Sequence, residues 1–204
     1  MKKRGLIIFI KNPELGKAKT RLAATVGKEK ALEVYHDLLS HTRKVALEVN
    51  ADRLLFYSQT IDNNDEWSLD SFKKYLQSEG DLGEKLKHAF AAGFDSDYDQ
   101  LVVIGSDCPV LSAAHIEKAF EDMSKTEDSS ASKVVIGPSN DGGYYLLGMR
   151  KYYYHLFENK PWSTDKLLES TVAELEERKV RFSLLEELYD IDTEEDLKRW
   201  TASA

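Results

Sequence analysis

The apolar run Leu101-Val102-Val103-Ile104 passes directly into Gly105-Ser106-Asp107-Cys108-Pro109. A carboxylate at the end of a strand buried on both faces lies where open α/β sheets receive their ligands. Such a group suits a hard divalent cation, Mg2+ or Mn2+, that bridges to phosphate oxygens. It also suits the plainer task of capping a turn. Asp107 is thus a candidate catalytic residue and metal ligand. Cys108 reads as a small buried hydrophobe, because no accompanying base marks it as a nucleophile.

Three further segments follow apolar runs in the same way. Lys11-Asn12-Pro13-Glu14-Leu15-Gly16-Lys17-Ala18-Lys19-Thr20-Arg21 combines a Pro/Gly turn with cations that could cradle phosphates. Its spacing is neither that of a Walker A loop nor Gly-x-Gly-x-x-Gly. Gly137-Pro138-Ser139-Asn140-Asp141-Gly142-Gly143 carries a tight Asp-Gly-Gly turn. That turn is either a plain hairpin or a place where glycines admit a substrate to the backbone, with Asp141 facing it. We expect its strand to end beside that of Asp107. Near the end of the chain, an extended Asp190-Ile191-Asp192 would place both carboxylates on one face. One of the two is a candidate second metal ligand. We take Asp192 for that role and keep Asp190 as the other choice, against simple helix N-terminal charge. The five histidines have no ligand spacing with one another or with the single cysteine, so no zinc site is read.

The chain as a whole narrows the partners. Its 204 residues carry a net charge of −8, which disfavours DNA and other bulk polyanions. Residues 1–22 hold seven Lys and Arg against Glu14 alone, so this acidic protein has one basic segment. A small anion is the partner that segment suits, unless the cations are simply solvated. No apolar stretch approaches the roughly 20 residues of a membrane span. The run 6–10 after the basic start is too short for a secretory core. One cysteine cannot form an internal disulfide, so a reducing, cytoplasmic setting is expected.

The elements that must position these residues follow from periodicity. Apolar runs at 5–11, 53–58, 101–105, 133–137 and 180–185 predict strands, with others within 72–77 and 144–149. Helical stripes predict helices over 28–49, from 82 to about 94, from Ser112 to 124, and from a Ser163 cap to about 178. Thr193-x-x-Asp196 reads as a capping box opening a last helix. Residues 126–132 read as a polar loop. The alternation of strands and helices predicts an α/β fold, a parallel or mixed sheet with helices on both faces, in one domain spanning 1–204.

Taken together, the motifs resemble a known family. Asn12-Pro13…Gly16…Lys19-Thr20-Arg21-Leu22, Gly80-Asp81-Leu82-Gly83-Glu84-Lys85, Ile104–Pro109, Gly137-Pro138…Asp141-Gly142-Gly143-Tyr144-Tyr145, Pro161-Trp162-Ser163-Thr164 and Asp190-Ile191-Asp192-Thr193 are similar to stretches of the bacterial DUF2064 group. These are GT-A-type proteins related to nucleotide-diphospho-sugar transferases, and more distantly to phospholactate and molybdenum-cofactor guanylyltransferases. The resemblance implies a three-layer GT-A fold with a mostly parallel sheet. It implies that Asn12, Pro13, Gly16, Lys19 and Arg21 meet phosphates, that Asp81 and Gly83 lie near the base or ribose, and that Asp107 holds the metal. Gly142, Gly143, Trp162, Ser163 and Thr164 would face the substrate. The Asp-x-Asp of many GT-A glycosyltransferases reads here as Gly105-Ser106-Asp107, and the Gly-x-Gly-Thr/Ser-Arg loop of nucleotidyltransferases is absent. The leading expectation is a metal-dependent glycosyl transfer from a nucleotide-sugar to a small-molecule acceptor. The alternatives are a nucleotidylyltransferase and a non-catalytic nucleotide-binding module.

Overall fold

Apolar runs with no polar face can be buried only inside a sheet covered on both sides, and that is how this chain folds. A computed structural model describes residues 2–124 and 133–202. In order, the elements are β1 (Arg4–Ile10), α1 (Thr20–Val26), α2 (Lys28–Glu48), β2 (Asp52–Tyr57), β3 (Phe72–Leu76), α3 (Leu82–Asp95), β4 (Gln100–Ile104), α4 (Ala113–Ser124), β5 (Val134–Pro138), β6 (Tyr144–Met149), a 3₁₀ turn (Tyr154–Phe157), α5 (Leu167–Glu177), β7 (Phe182–Leu184) and α6 (Glu194–Ala202). Among the described residues, seven strands join one sheet in the order β3-β2-β1-β4-β6-β5-β7. Only β6 runs against the rest: it pairs antiparallel with both β4 and β5.

Alternation along β1 assigns the two faces. Leu6, Ile8 and Ile10 pack with Tyr35, Leu39 and Ala46 of α2 and with Ile116 and Phe120 of α4. Ile7 packs on the other face with Leu86 and Phe90 of α3 and with Leu175 of α5. Burying each such aliphatic side chain is worth roughly 1.5–3 kcal/mol, so β1 and β4 form the rigid centre of the molecule. A smaller cluster, Leu22, Ala31, Val34, Leu38 and Ile191, ties α1 and α2 to the segment before α6. Among the described residues no helix is long and apolar enough to cross a membrane.

Three sequence expectations change. α5 begins at Leu167, with Lys166 at its N-cap position and no side-chain cap. Ser163 instead adopts a positive φ of 62° inside a turn. There its hydroxyl cannot serve that helix end. The strand carrying Asp141 is not beside β4, because β6 lies between them. The turn between β5 and β6 nonetheless returns Asp141 to the same edge. Finally, α1 interrupts a stretch for which no element was expected. The loop expected at 126–132 lies outside the described residues. The capping box is present: Thr193 N and Oγ1 donate to Asp196 Oδ2 at 2.8 and 2.7 Å.

Candidate functional site

The carboxyl ends of β1 and β4 are adjacent, since the two strands pair in parallel from Arg4/Gln100 to Ile8/Ile104. The chain segments leaving them therefore diverge around a common opening. That opening is a cavity of about 770 Å³ lined by Lys11, Lys19, Thr20, Arg21, Asp81, Lys85, Asp107, Asp141, Gly143, Ser163, Thr164, Asp190 and Asp192, among others. This volume suits a nucleotide-sized ligand, because small-molecule pockets run to roughly 300–1,000 Å³.

Lys19 is the centre of the site. It precedes α1 in a left-handed conformation (φ 49°, ψ 48°), uncommon for a residue with a side chain. Its ammonium lies 2.7 Å from Asp107 Oδ1 and 3.3 Å from Asp192 Oδ1, with only 4% of the side chain exposed. Burial works against the charge. The charges of Asp107 and Asp192, and their hydrogen bonds, outweigh it, so the lysine pKa is raised. Arg21 reaches Asp192 Oδ2 at 3.5 Å from the exposed side.

The acidic partners are brought together by backbone bonds. Ile191 N donates to Asp107 O at 3.0 Å, which clamps the Asp190-Ile191-Asp192 segment across the end of β4. Ile191 itself is fully buried in the α1–α2 cluster, so the flanking carboxylates turn towards the opening. Asp192 meets Lys19. Asp190 accepts a bond from Ser139 Oγ at 3.2 Å. Burial, with the nearby charge of Asp107, pushes its carboxyl up to about 7, against the pull of Lys19.

A test of that environment follows. A carboxyl whose folded pKa lies above its unfolded value binds more protons in the native state. Stability is therefore lost as pH rises from the unfolded value towards about 7. In chelator-containing buffer, the stability of Asp190→Asn relative to the parent protein is expected to rise between pH 5 and pH 8, by on the order of 2 kcal/mol. Urea titrations at the two pH values measure this; equal stability differences at both would mean that Asp190 titrates normally.

Other expected residues fall into two groups. Asp81 lines the cavity while its side chain caps α3, accepting from Glu84 N at 2.9 Å. Asp141 lines it too and accepts from Gly143 N at 2.9 Å. Asn12, Pro13, Gly16, Gly83, Gly142 and Trp162 are not among the residues that line the cavity. Asn12 stitches two strand-end loops: its Nδ2 donates to Thr60 O at 2.8 Å, and its Oδ1 accepts from Gln59 N at 3.0 Å. A Cβ on Gly83 would lie 2.3 Å from Trp162 Nε1, so this glycine seats the tryptophan against α3.

One participant was not singled out in the sequence. Tyr35 sits on the buried stripe of α2, yet its hydroxyl accepts from Lys11 N at 2.8 Å and donates to Lys11 O at 3.0 Å. It also lies 3.3 Å from Ser106 Oγ. It thereby holds the ends of β1 and β4 in register under the cavity. A tyrosine among aliphatic neighbours was the available signal, since a buried phenol needs a partner.

Residues 41–164, more than half of the chain, match the family described as "Uncharacterized protein conserved in bacteria (DUF2064)". The chain belongs to the DUF2064 family. Among solved structures, this DUF2064 protein is similar to a protein of Desulfovibrio desulfuricans G20 named as a candidate nucleotide-diphospho-sugar transferase. The identity is 30% and the TM-score 0.85, over 95% of this chain and 84% of that one. It also resembles the 4-diphosphocytidyl-2C-methyl-D-erythritol synthase of Anaerococcus prevotii DSM 20548, at 16% identity and a TM-score of 0.61 over 99% and 98% of the two chains. A manganese complex of a Mycobacterium tuberculosis H37Rv protein matches at 13% identity and a TM-score of 0.54 over all of both chains. For the last two the likeness is one of fold. No curated protein sequence matches the DUF2064 chain.

Proposed function

We propose that this DUF2064 protein is a metal-dependent transferase, folded as one domain over 1–204, that takes a nucleotide-sugar donor and passes its sugar to a small-molecule acceptor. One observation carries the reading. Lys19 and Arg21 from the basic segment after β1 meet Asp107 and Asp192 on a single cavity at the strand ends. Cations alone would serve a phosphate. Carboxylates alone would repel one. The two together suit a phosphate that arrives with a divalent cation.

The donor set fits Mg2+ or Mn2+. Among the described residues no group of three ligand side chains is present, so the protein offers no closed cage. Asp107 and Asp192 are hard oxygen donors with 45% and 43% of their side chains exposed. Mg2+ is commonly held by one or two carboxylates together with substrate phosphates, and these two would hold it. When bound, such an ion neutralises the charge of the departing diphosphate.

The chain's own residues divide the remaining work. Lys19 and Arg21 hold phosphate oxygens and oppose the charge that grows on the leaving group. A Cβ on Gly105 would meet nothing within 4 Å, which leaves room beside Asp107 for the donor to approach β4. Asp141, fixed by its bond to Gly143 N, takes the proton from the acceptor hydroxyl. Ser163 and Thr164, which also line the cavity, offer hydroxyls to the acceptor.

Asp141→Asn separates binding from proton transfer. Donor affinity is expected to stay within about twofold, while turnover falls by roughly 10²–10⁴-fold. Calorimetry with the donor and a single-turnover assay measure the two effects. A large loss of donor affinity would move Asp141 to the phosphate side.

The replacement of the first Asp-x-Asp carboxylate by Gly105 favours a second reading. In this one an acceptor oxygen attacks the α-phosphorus of a nucleoside triphosphate and pyrophosphate leaves. A panel of nucleotide-sugars and nucleoside triphosphates with Mg2+ or Mn2+, read by thermal shift and then by turnover, separates the readings. Stabilisation by a nucleotide-sugar supports glycosyl transfer. Stabilisation by one triphosphate supports nucleotidyl transfer. Binding without turnover for any acceptor supports a binding module.

A further inference from the structure

The Lys19 ammonium occupies the space that a bridging cation would need. It lies 2.7 Å from Asp107 Oδ1 and 3.3 Å from Asp192 Oδ1 and, with Arg21 3.5 Å from Asp192 Oδ2, balances the charge of the pair. A divalent ion shared by the same carboxylates would sit within a few ångströms of that ammonium, where like charges repel. The side chain is only 4% exposed. Bulk solvent therefore offers the ammonium no alternative solvation while it stays in place. Its entry is fixed as well: Ala18 is buried, the Lys19 backbone is left-handed, and Ala23 N donates to Lys19 O at 2.8 Å.

We infer that Lys19 is an internal counter-ion that closes the metal position in the free protein, and that nucleotide phosphates open it by drawing the ammonium away from Asp107 and Asp192. The inference rests on the transferase reading for the identity of the opening ligand, but not for the closure. A lysine suits the task, since its flexible stem lets the charge move while the backbone stays fixed. An ammonium has three donors, and two are taken by the carboxylates. A phosphate that competes for them exchanges one set of charge-assisted bonds for another and leaves Asp107 without its cation and Asp192 with Arg21 alone. A divalent ion then completes the exchange. Metal and nucleotide should consequently bind with positive coupling, each raising the other's affinity by the same factor.

The closure is tested with Mn2+ alone, before any nucleotide is added. Metal-stripped protein is titrated with Mn2+ and free ion is followed by electron paramagnetic resonance, for the parent protein, Lys19→Met and Lys19→Gln. Circular dichroism establishes that each variant is folded, and the glutamine variant serves if the apolar one is not. Both neutral variants are expected to bind Mn2+ about tenfold more tightly than the parent, or better. Lys19→Arg, which keeps the cation, should remain within about threefold of the parent. Neutral variants that bind Mn2+ no better than the parent overturn the inference. A second series adds ADP, GDP, CDP or UDP. At least one is expected to tighten Mn2+ binding to the parent and to lose that effect in the neutral variants. If none tightens it while the first series holds, the closure stands and the transferase reading is what fails.

Discussion

Asp107→Asn is expected to leave the protein folded and to abolish most of its metal-dependent nucleotide affinity. The substituted side chain keeps its shape and a neutral oxygen. Almost half of it is exposed, but its partner Lys19 is buried and keeps only Asp192, so the cost in fold stability should be about 1–3 kcal/mol. The cost in binding is larger, because the carboxylate has two opposite partners in turn. In the free protein it pairs with Lys19, and in the proposed complex with the divalent ion. Asparagine serves neither, so both the neutralised free state and the bridged bound state lose a charge. Loss of a ligand charge at the centre of the site should reduce nucleotide affinity in the presence of Mg2+ by about 100-fold, or roughly 3 kcal/mol. Calorimetric titrations of the parent and the variant, each with Mg2+ and with chelator, decide the matter. The parent should respond to chelator and the variant should not. Parent affinity indifferent to chelator and unchanged by the substitution would reduce Asp107 to a turn residue and remove the metal from the mechanism.

What could be read in the sequence, and what could not, follows from the range of the forces involved. β4 and Asp107 were legible because a strand buried on both faces leaves a fully apolar run, and Gln100–Ile104 is buried at every position. α2 was legible through its stripe, with Ala31, Val34, Tyr35, Leu38 and Leu39 buried along it. The direction of β6 was not, since an apolar strand reads alike whichever way it runs. α1 was hidden because seven residues ending at Gly27 are too few to establish a helical period. Within the site, the basic segment and the acidic strand ends were each visible as composition. That Lys19 bridges Asp107 and Asp192, across 88 and 173 positions of chain, depends on how the sheet folds back on itself.

The same limit explains Asn12 and Gly83. Both stand in motifs that the family resemblance assigns to ligands, while the fold uses the first to join two loops and the second to admit Trp162. Packing of this kind leaves no periodic trace in the chain.

Gly142→Ala should be the most damaging single-methyl substitution at the site, and its effect should reach the cavity from behind. Gly142 has a φ of +85°, a conformation that a residue with a Cβ adopts at a cost of roughly 1–2 kcal/mol. Its surroundings allow no relief. An added Cβ would lie 2.3 Å from Asp165 O and 2.6 Å from Asp165 Cα, both backbone atoms. The turn is also tied on each side: Gly142 N donates to Ser139 O at 3.1 Å, and Leu168 N donates to Gly142 O at 2.9 Å. To admit a methyl group, the segment leading into α5 must move away from the β5–β6 turn and break that second bond. Overpacking of this kind costs roughly 1–3 kcal/mol, so the total should be about 3–5 kcal/mol when the lost bond is included. For a chain of this length that corresponds to a fall in Tm of roughly 6–20 °C. Ser163 and Thr164 ride on the displaced segment and line the cavity, so acceptor affinity should fall even at temperatures where the variant remains folded. Gly143→Ala is the control. Its Cβ would meet only the Asp141 side chain, at 3.1 Å, and its φ is not positive, so its Tm should drop by much less. Calorimetric melts of the two variants provide the comparison. If Gly142→Ala melts with Gly143→Ala, the β5–β6 turn does not set the position of α5, and the placement of Ser163 and Thr164 must come from the packing of Trp162 on Gly83 instead.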